Sequence, residues 1–138
     1  MTKTELTLQQ LNDMGVQVFC CGALNTHRAI SSADGFIGLA PMETSAEAHT
    51  VLEHERMHFV LDAFSRADAS FTDRLRLEGM VRRATYFSLA PRTLLESLLR
   101  QGLTPSEVAE ELNITPDFLQ EAFDFYRDAD PTFCASLP

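Results

Sequence analysis

The sequence predicts one α+β domain, a small antiparallel sheet followed by a run of capped helices. Three observations predict it. A β-branched and aromatic run, Val16-Gln17-Val18-Phe19-Cys20-Cys21, is followed by two extended segments flanking an Asp34-Gly35 turn. Helix-start signals then recur, at Thr44-Ser45-Ala46-Glu47 and Thr104-Pro105-Ser106-Glu107. The chain of 138 residues, 45% of them hydrophobic, is long enough for a single core and too short for two.

In chain order, Glu5 to Met14 reads as a weakly amphipathic helix ended by Gly15. The Val16–Cys21 strand follows, then extended segments at His27 to Ser31 and Phe36 to Ala40, with Ala33-Asp34-Gly35 turning between them. Thr44 can accept the Glu47 backbone N–H while the Glu47 carboxylate reaches back, which opens a helix running to about Arg66. Further helices are expected over Ser70 to Leu89, Pro91 to Gln101, from the Thr104 cap onward with Pro105 in its first turn, and from Thr115 to about Arg127. The tail from Ala129 to Pro138 lacks periodicity and reads as frayed or loosely docked.

Composition narrows the partners. The net charge is −9, so a nucleic-acid surface would have to meet a repelling one. The start of the chain lacks a signal-peptide layout and no apolar run reaches membrane-spanning length, so a cytoplasmic setting is expected. Cys20, Cys21 and Cys134 have neither the number nor the spacing of a disulfide or zinc-knuckle framework, and read as buried small residues in a reducing compartment.

The chemistry concentrates in His54-Glu55-Arg56-Met57-His58. The two histidines are four residues apart on a capped helix, so both imidazoles project from one face, one turn apart. That separation suits two nitrogens on one tetrahedral zinc. Glu55 is rotated by about 100° from His54 and can reach a water activated there, taking its proton as general base. By chance alone such a pattern arises in roughly one chain in a hundred of this length, so its context matters. Val51 and Leu61 are expected on the same side as His54 and His58, an apolar stripe interrupted by three ionisable groups that need a partner.

Zinc needs a third protein ligand, and no third histidine follows at the extended-motif spacing. A carboxylate from the next helix is the natural donor. Glu78, set among Leu75, Leu77, Met80 and Val81, is the best placed, although it could instead pair with Arg82. Asp73 is better explained as capping chemistry. Asp62, four residues past His58, is expected to accept that ring's other N–H. Tyr86 reads as a core aromatic that could also donate to a developing oxyanion. His49 and His27 read as a helix-surface residue and a strand-start residue.

The Leu103–Leu119 segment looks like a DNA-binding helix-turn-helix. Its second helix, however, presents Asp117, Gln120, Glu121 and Asp124, and its first Glu107, Glu110 and Glu111. A groove-reading helix needs the opposite charge, so the unit is expected to be a packing element without direct nucleic-acid contact.

Together these features resemble the ImmA/IrrE family of metallopeptidases, in the compact form common near prophages and mobile elements. The likeness spans residues 4–127 and rests on four matches. They are the strand and Asp-Gly hairpin, Thr44–Glu47 leading into His54–His58, Glu78 ahead of Ala84-Thr85-Tyr86-Phe87-Ser88-Leu89-Ala90-Pro91, and the closing Val108–Pro116 segment with a last helix ending at Tyr126. The resemblance implies a zincin-like fold, Zn²⁺ on His54, His58 and Glu78, Glu55 as general base, and a helix-turn-helix transcriptional repressor as protein substrate. Two positions depart from the family pattern. Met57 stands where glycine is common, which implies more bulk beside the metal, and Gly79-Met80-Val81-Arg82-Arg83 replaces an alanine-rich run. The alternative expectation is a non-catalytic metal-binding regulatory or interaction module with the same fold.

Overall fold

The computed structural model describes residues 1–20, 22 and 28–134. Helix α1 (Lys3–Asp13) opens on a capping box between Thr2 and Glu5. It closes on Gly15 at φ +80°, with Val16 N–H on the Leu11 carbonyl (2.9 Å). This is the bond pattern of a left-handed C-terminal cap, a conformation that glycine adopts without penalty. Strands β1 (Gln17–Cys20), β2 (Ala29–Ser32) and β3 (Phe36–Leu39) form a three-stranded sheet in the order β1-β3-β2.

The sheet is mixed, which corrects the antiparallel expectation. β2 and β3 pair antiparallel through the Asp34-Gly35 turn, where Gly35 sits at φ +99° and its N–H bonds to the Ser32 carbonyl. β1 pairs with β3 in parallel, Gln17 opposite Phe36 and Cys20 opposite Leu39. The link from β1 to β2 is too long for a tight hairpin, so β2 is not forced beside β1. β3 takes that place instead, fastened by Gln17 N–H on the Gly35 carbonyl (3.0 Å). Cys21 and His27, expected in strands, lie outside the described residues. Cys20 is exposed at the end of an edge strand, so its expected burial does not hold.

Helix α2 (Ser45–Val60) packs against α1 and β2. Thr44 caps it as expected, accepting Glu47 N–H at 3.1 Å, while the Glu47 carboxylate pairs with Arg28. The helix ends well before the expected Arg66. Asp62 takes a left-handed φ of +50°, Asp62 N–H bonds to the Phe59 carbonyl (3.2 Å) and Ala63 N–H to that of His58 (2.8 Å). Aspartate tolerates this conformation better than most residues, which lets it terminate a helix without glycine. The expected apolar stripe is also displaced: Leu61 is exposed beyond the helix end and Leu52 is the fully buried aliphatic. The apolar core beneath the sheet gathers Leu11, Val16, Ile37 and Leu52.

Helices α3 (Phe71–Leu89), α4 (Arg92–Arg100), α5 (Pro105–Leu112) and α6 (Pro116–Ala129) complete the fold. Ser70, Thr104 and Thr115 cap three of them with their hydroxyls. The helix-turn-helix look-alike is a packing element: Val108, Leu112, Ile114, Phe118 and Leu119 belong to the largest core cluster. The tail is more firmly held than expected as far as Cys134. Phe133 is buried in that cluster, and Arg92 pairs with Asp130, holding its carboxyl down to about 2 with help from Thr132. No helix among the described residues is long and apolar enough to cross a membrane.

Two polar ties join these parts. Asn113, left-handed at the end of α5 (φ +52°), donates its side-chain amide to Ser45 (3.2 Å) and Thr4 (3.4 Å), while its carbonyl accepts the Nδ1–H of His49 (2.8 Å). His49 is therefore a buried connector, not the surface residue expected, and the change arises because its partner lies far off in sequence. Replacing Asn113 with alanine should lose both amide bonds and strain the left-handed cap, costing about 2 kcal/mol in urea unfolding. At the other tie, the Tyr126 hydroxyl donates to the Ala90 carbonyl (2.8 Å) at the end of α3, deep in the core. Tyr126→Phe leaves that carbonyl unpaired and should lower stability by about 1–3 kcal/mol with an unchanged urea m-value.

Candidate metal centre

Three side chains from two helices converge. His54 and His58 come from α2, their rings 5.2 Å apart and nearly perpendicular. Glu78 comes from the facing side of α3 and spans both: Oε2 lies 3.1 Å from His54 Nε2, and Oε1 lies 3.1 Å from His58 Nε2. Among the described residues these three form a group able to hold a metal ion, with one ligand atom from each within 4.8 Å of the others. The i+4 partner considered for Glu78, Arg82, faces Glu121 instead (3.9 Å).

The donor set fits zinc. Ligands about 2.0–2.2 Å from a tetrahedral ion are roughly 3.3 Å apart, close to the nitrogen–oxygen separations here. The protonation pattern points the same way. A backbone carbonyl only accepts, so the 2.7 Å contact between His58 Nδ1 and the Ala63 carbonyl places a proton on Nδ1. That leaves Nε2 as the nitrogen able to ligate, and its close approach to a carboxylate oxygen calls for a cation between them, whether proton or metal. Burial works against charging His58, but hydrogen bonds with Glu78 and Ala63 and the nearby carboxylate charges raise its pKa above the ordinary value. Hydrogen bonds from His54 and His58 hold the Glu78 carboxyl far below the usual carboxylate range.

The partner of His58 differs from the expected one. Asp62 was the candidate orienter; the bond is made instead by the carbonyl of Ala63. Sequence offers no letter for a main-chain acceptor. It is delivered here because the left-handed cap at Asp62 folds the chain back beneath the last turn of α2.

Glu55 is 8% exposed and lines a cleft of about 650 Å³ with His58 and Glu78. Strand β2 forms one wall of this cleft and the Ala63–Ala67 turn another. A second hollow, reached by His54, shares Ala29 and Glu55 with the first, so the carboxylate stands where the two meet. Met57 does not line either. Its side chain packs with Ala63 and Val81 between α2 and α3, so the bulk expected beside the metal goes into that seam.

The remaining candidates lie elsewhere. Tyr86 is buried in the C-terminal cluster with its hydroxyl on Glu121 (3.4 Å), two turns along α3 from Glu78, and lines neither hollow of the centre. Asp73 sits in the first turn of α3, its N–H on Ser70 Oγ, as the capping reading expects. Comparisons of the chain with protein-family models, with curated proteins and with solved structures find no match. The chemistry of the centre follows from its own atoms.

Proposed function

We propose that the protein is a zinc-dependent endopeptidase with a zincin-like arrangement of its motif helix. One observation carries the reading: the two oxygens of Glu78 each meet an Nε2 of the His54–His58 pair, beside a cleft into which Glu55 is built. A bound zinc would supply Lewis acidity toward a peptide carbonyl and lower the pKa of an attacking water. His54, His58 and Glu78 would hold it, and the Ala63 carbonyl would keep the His58 lone pair aimed inward. Glu55 would take the proton of that water and pass it to the leaving amine nitrogen.

β2 supports a peptide over a small molecule. It is an edge of the sheet and forms a wall of the cleft, so its outer side offers main-chain groups to an extended chain. The resemblance to ImmA/IrrE proteins adds a substrate class, a helix-turn-helix repressor of a mobile element or stress response, cut in the cytoplasm. The test is incubation of the zinc-loaded protein with a repressor encoded beside it, alongside Glu55→Gln. Cleavage by wild type alone supports the reading; equal cleavage, or none by either, favours a non-catalytic metal-binding module.

A further inference from the structure

The cleft wall carries charge that the metal centre does not use. Eleven lysines and arginines stand against twenty acidic residues in this chain, yet Arg66 and Arg74 both line the main cleft. Of the two carboxylates there, Glu78 is held by His54 and His58, and Glu55 is buried beside them. The hollow on the His54 side is different. Its arginines are already matched, Arg28 with Glu47 and Arg82 with Glu121. In the main cleft Arg66 pairs with Asp68 (3.6 Å), whereas among the described residues Arg74 makes no ion pair. Arg74 is thus the arginine of the cleft that has no acidic partner among the described residues.

Arg74 is also placed. It precedes Glu78 by four residues on α3, so it sits on the same face one turn earlier, about 6 Å along the helix axis. Its Nη2 donates to the Ala67 carbonyl (3.4 Å), which draws the guanidinium toward the turn that walls the cleft and leaves its other donors available. Arg74 and Glu78 line the same cleft, so a peptide seated against the centre would pass within reach of the guanidinium.

We propose that the cleft selects peptides bearing an aspartate or glutamate near the scissile bond, with Arg74 as the specificity-determining residue. The proposal rests on the peptidase reading.

The test uses fluorescein-labelled decapeptides in which one aspartate is moved through a fixed neutral background, with lysine-substituted partners. The zinc-loaded wild type should cut the best-placed aspartate peptide about fivefold faster than its neutral parent, the scale of one partly exposed ion pair. Arg74→Glu should reverse the preference toward lysine, and Arg76→Glu, on the same helix outside the cleft, should leave it intact. Cleavage without charge preference, or a preference eroded equally by Arg76→Glu, overturns the proposal and leaves the peptidase reading standing. If no decapeptide is cut, the peptidase reading is decided by the repressor incubation, and anisotropy with zinc-loaded Glu55→Gln decides the charge question. Tighter binding of aspartate peptides that Arg74→Glu abolishes supports it; equal binding overturns it.

Discussion

Zinc should raise the melting temperature of the metal-free protein, and the increment should grow as pH rises from about 6 to 8, within the range where histidine titrates. Both halves of this expected result come from the three-residue centre. A ligand that binds only the folded state at about a thousand times its Kd contributes about 4 kcal/mol. For a domain of this size that is roughly 10–15 °C. Without metal, the centre stabilises itself by protonation. The His58 pKa is raised in the folded protein, so its contribution is complete below the usual 6.5 and fades as pH climbs through the folded value. The Glu78 pKa is depressed, so its contribution is present above the usual 4.5 and is lost as pH falls through its folded value. The metal-free centre therefore helps most between those two usual values and weakens toward alkaline pH. Zinc needs the histidines neutral, so its own contribution moves the opposite way. Differential scanning fluorimetry across pH, with and without zinc, reads both slopes. Glu78→Ala or His58→Ala should abolish the zinc increment, and an increment unchanged in either variant would place the ion elsewhere.

Glu55→Gln should bind zinc like the wild type and lose about three orders of magnitude in turnover, within the range for removing a positioned general base. The separation of the two effects follows from geometry. Glu55 belongs to the same helix as the ligands but contributes no atom to the three-residue group, standing instead at the meeting point of the two hollows. Glutamine keeps its volume and removes only the capacity to take a proton. Metal content by mass spectrometry and single-turnover cleavage of a repressor measure the two quantities independently. A variant that lost zinc together with activity would make Glu55 a ligand and not a base.

Features carried by a few neighbouring residues were legible in the sequence. The caps at Thr44, Ser70, Thr104 and Thr115 are local hydrogen-bond chemistry, and each helix begins where its hydroxyl stands. The His54–His58 spacing is likewise local, whereas Glu78 was one of several carboxylates open to the pair, since its apolar neighbours Leu75 and Met80 are themselves exposed. What escaped depends on distant partners or on main-chain atoms. The parallel pairing of β1 with β3 is decided by where the hairpin returns, which no alternation within β1 encodes. His49 looked like a surface residue because its acceptor, the Asn113 carbonyl, lies across the fold at the end of α5. Asp62 was assigned a side-chain role when its backbone conformation is what matters.

The carbonyl of Ala63 sets how this centre responds to mutation. Every residue type presents the same main-chain oxygen, so substitution at position 63 does not delete the group that orients His58. An alanine scan would pass over it in silence. The anchor yields to changes in the backbone itself. A proline at 62, whose ring excludes the left-handed φ, should scramble the return of the chain. An ester in place of the Ala63–Phe64 amide, made by chemical ligation, would weaken the acceptor while leaving every side chain in place. Trimming of side chains thus leaves this anchor in place, and the substitutions that reach it are those that alter the backbone or crowd the seam in which Ala63 is packed.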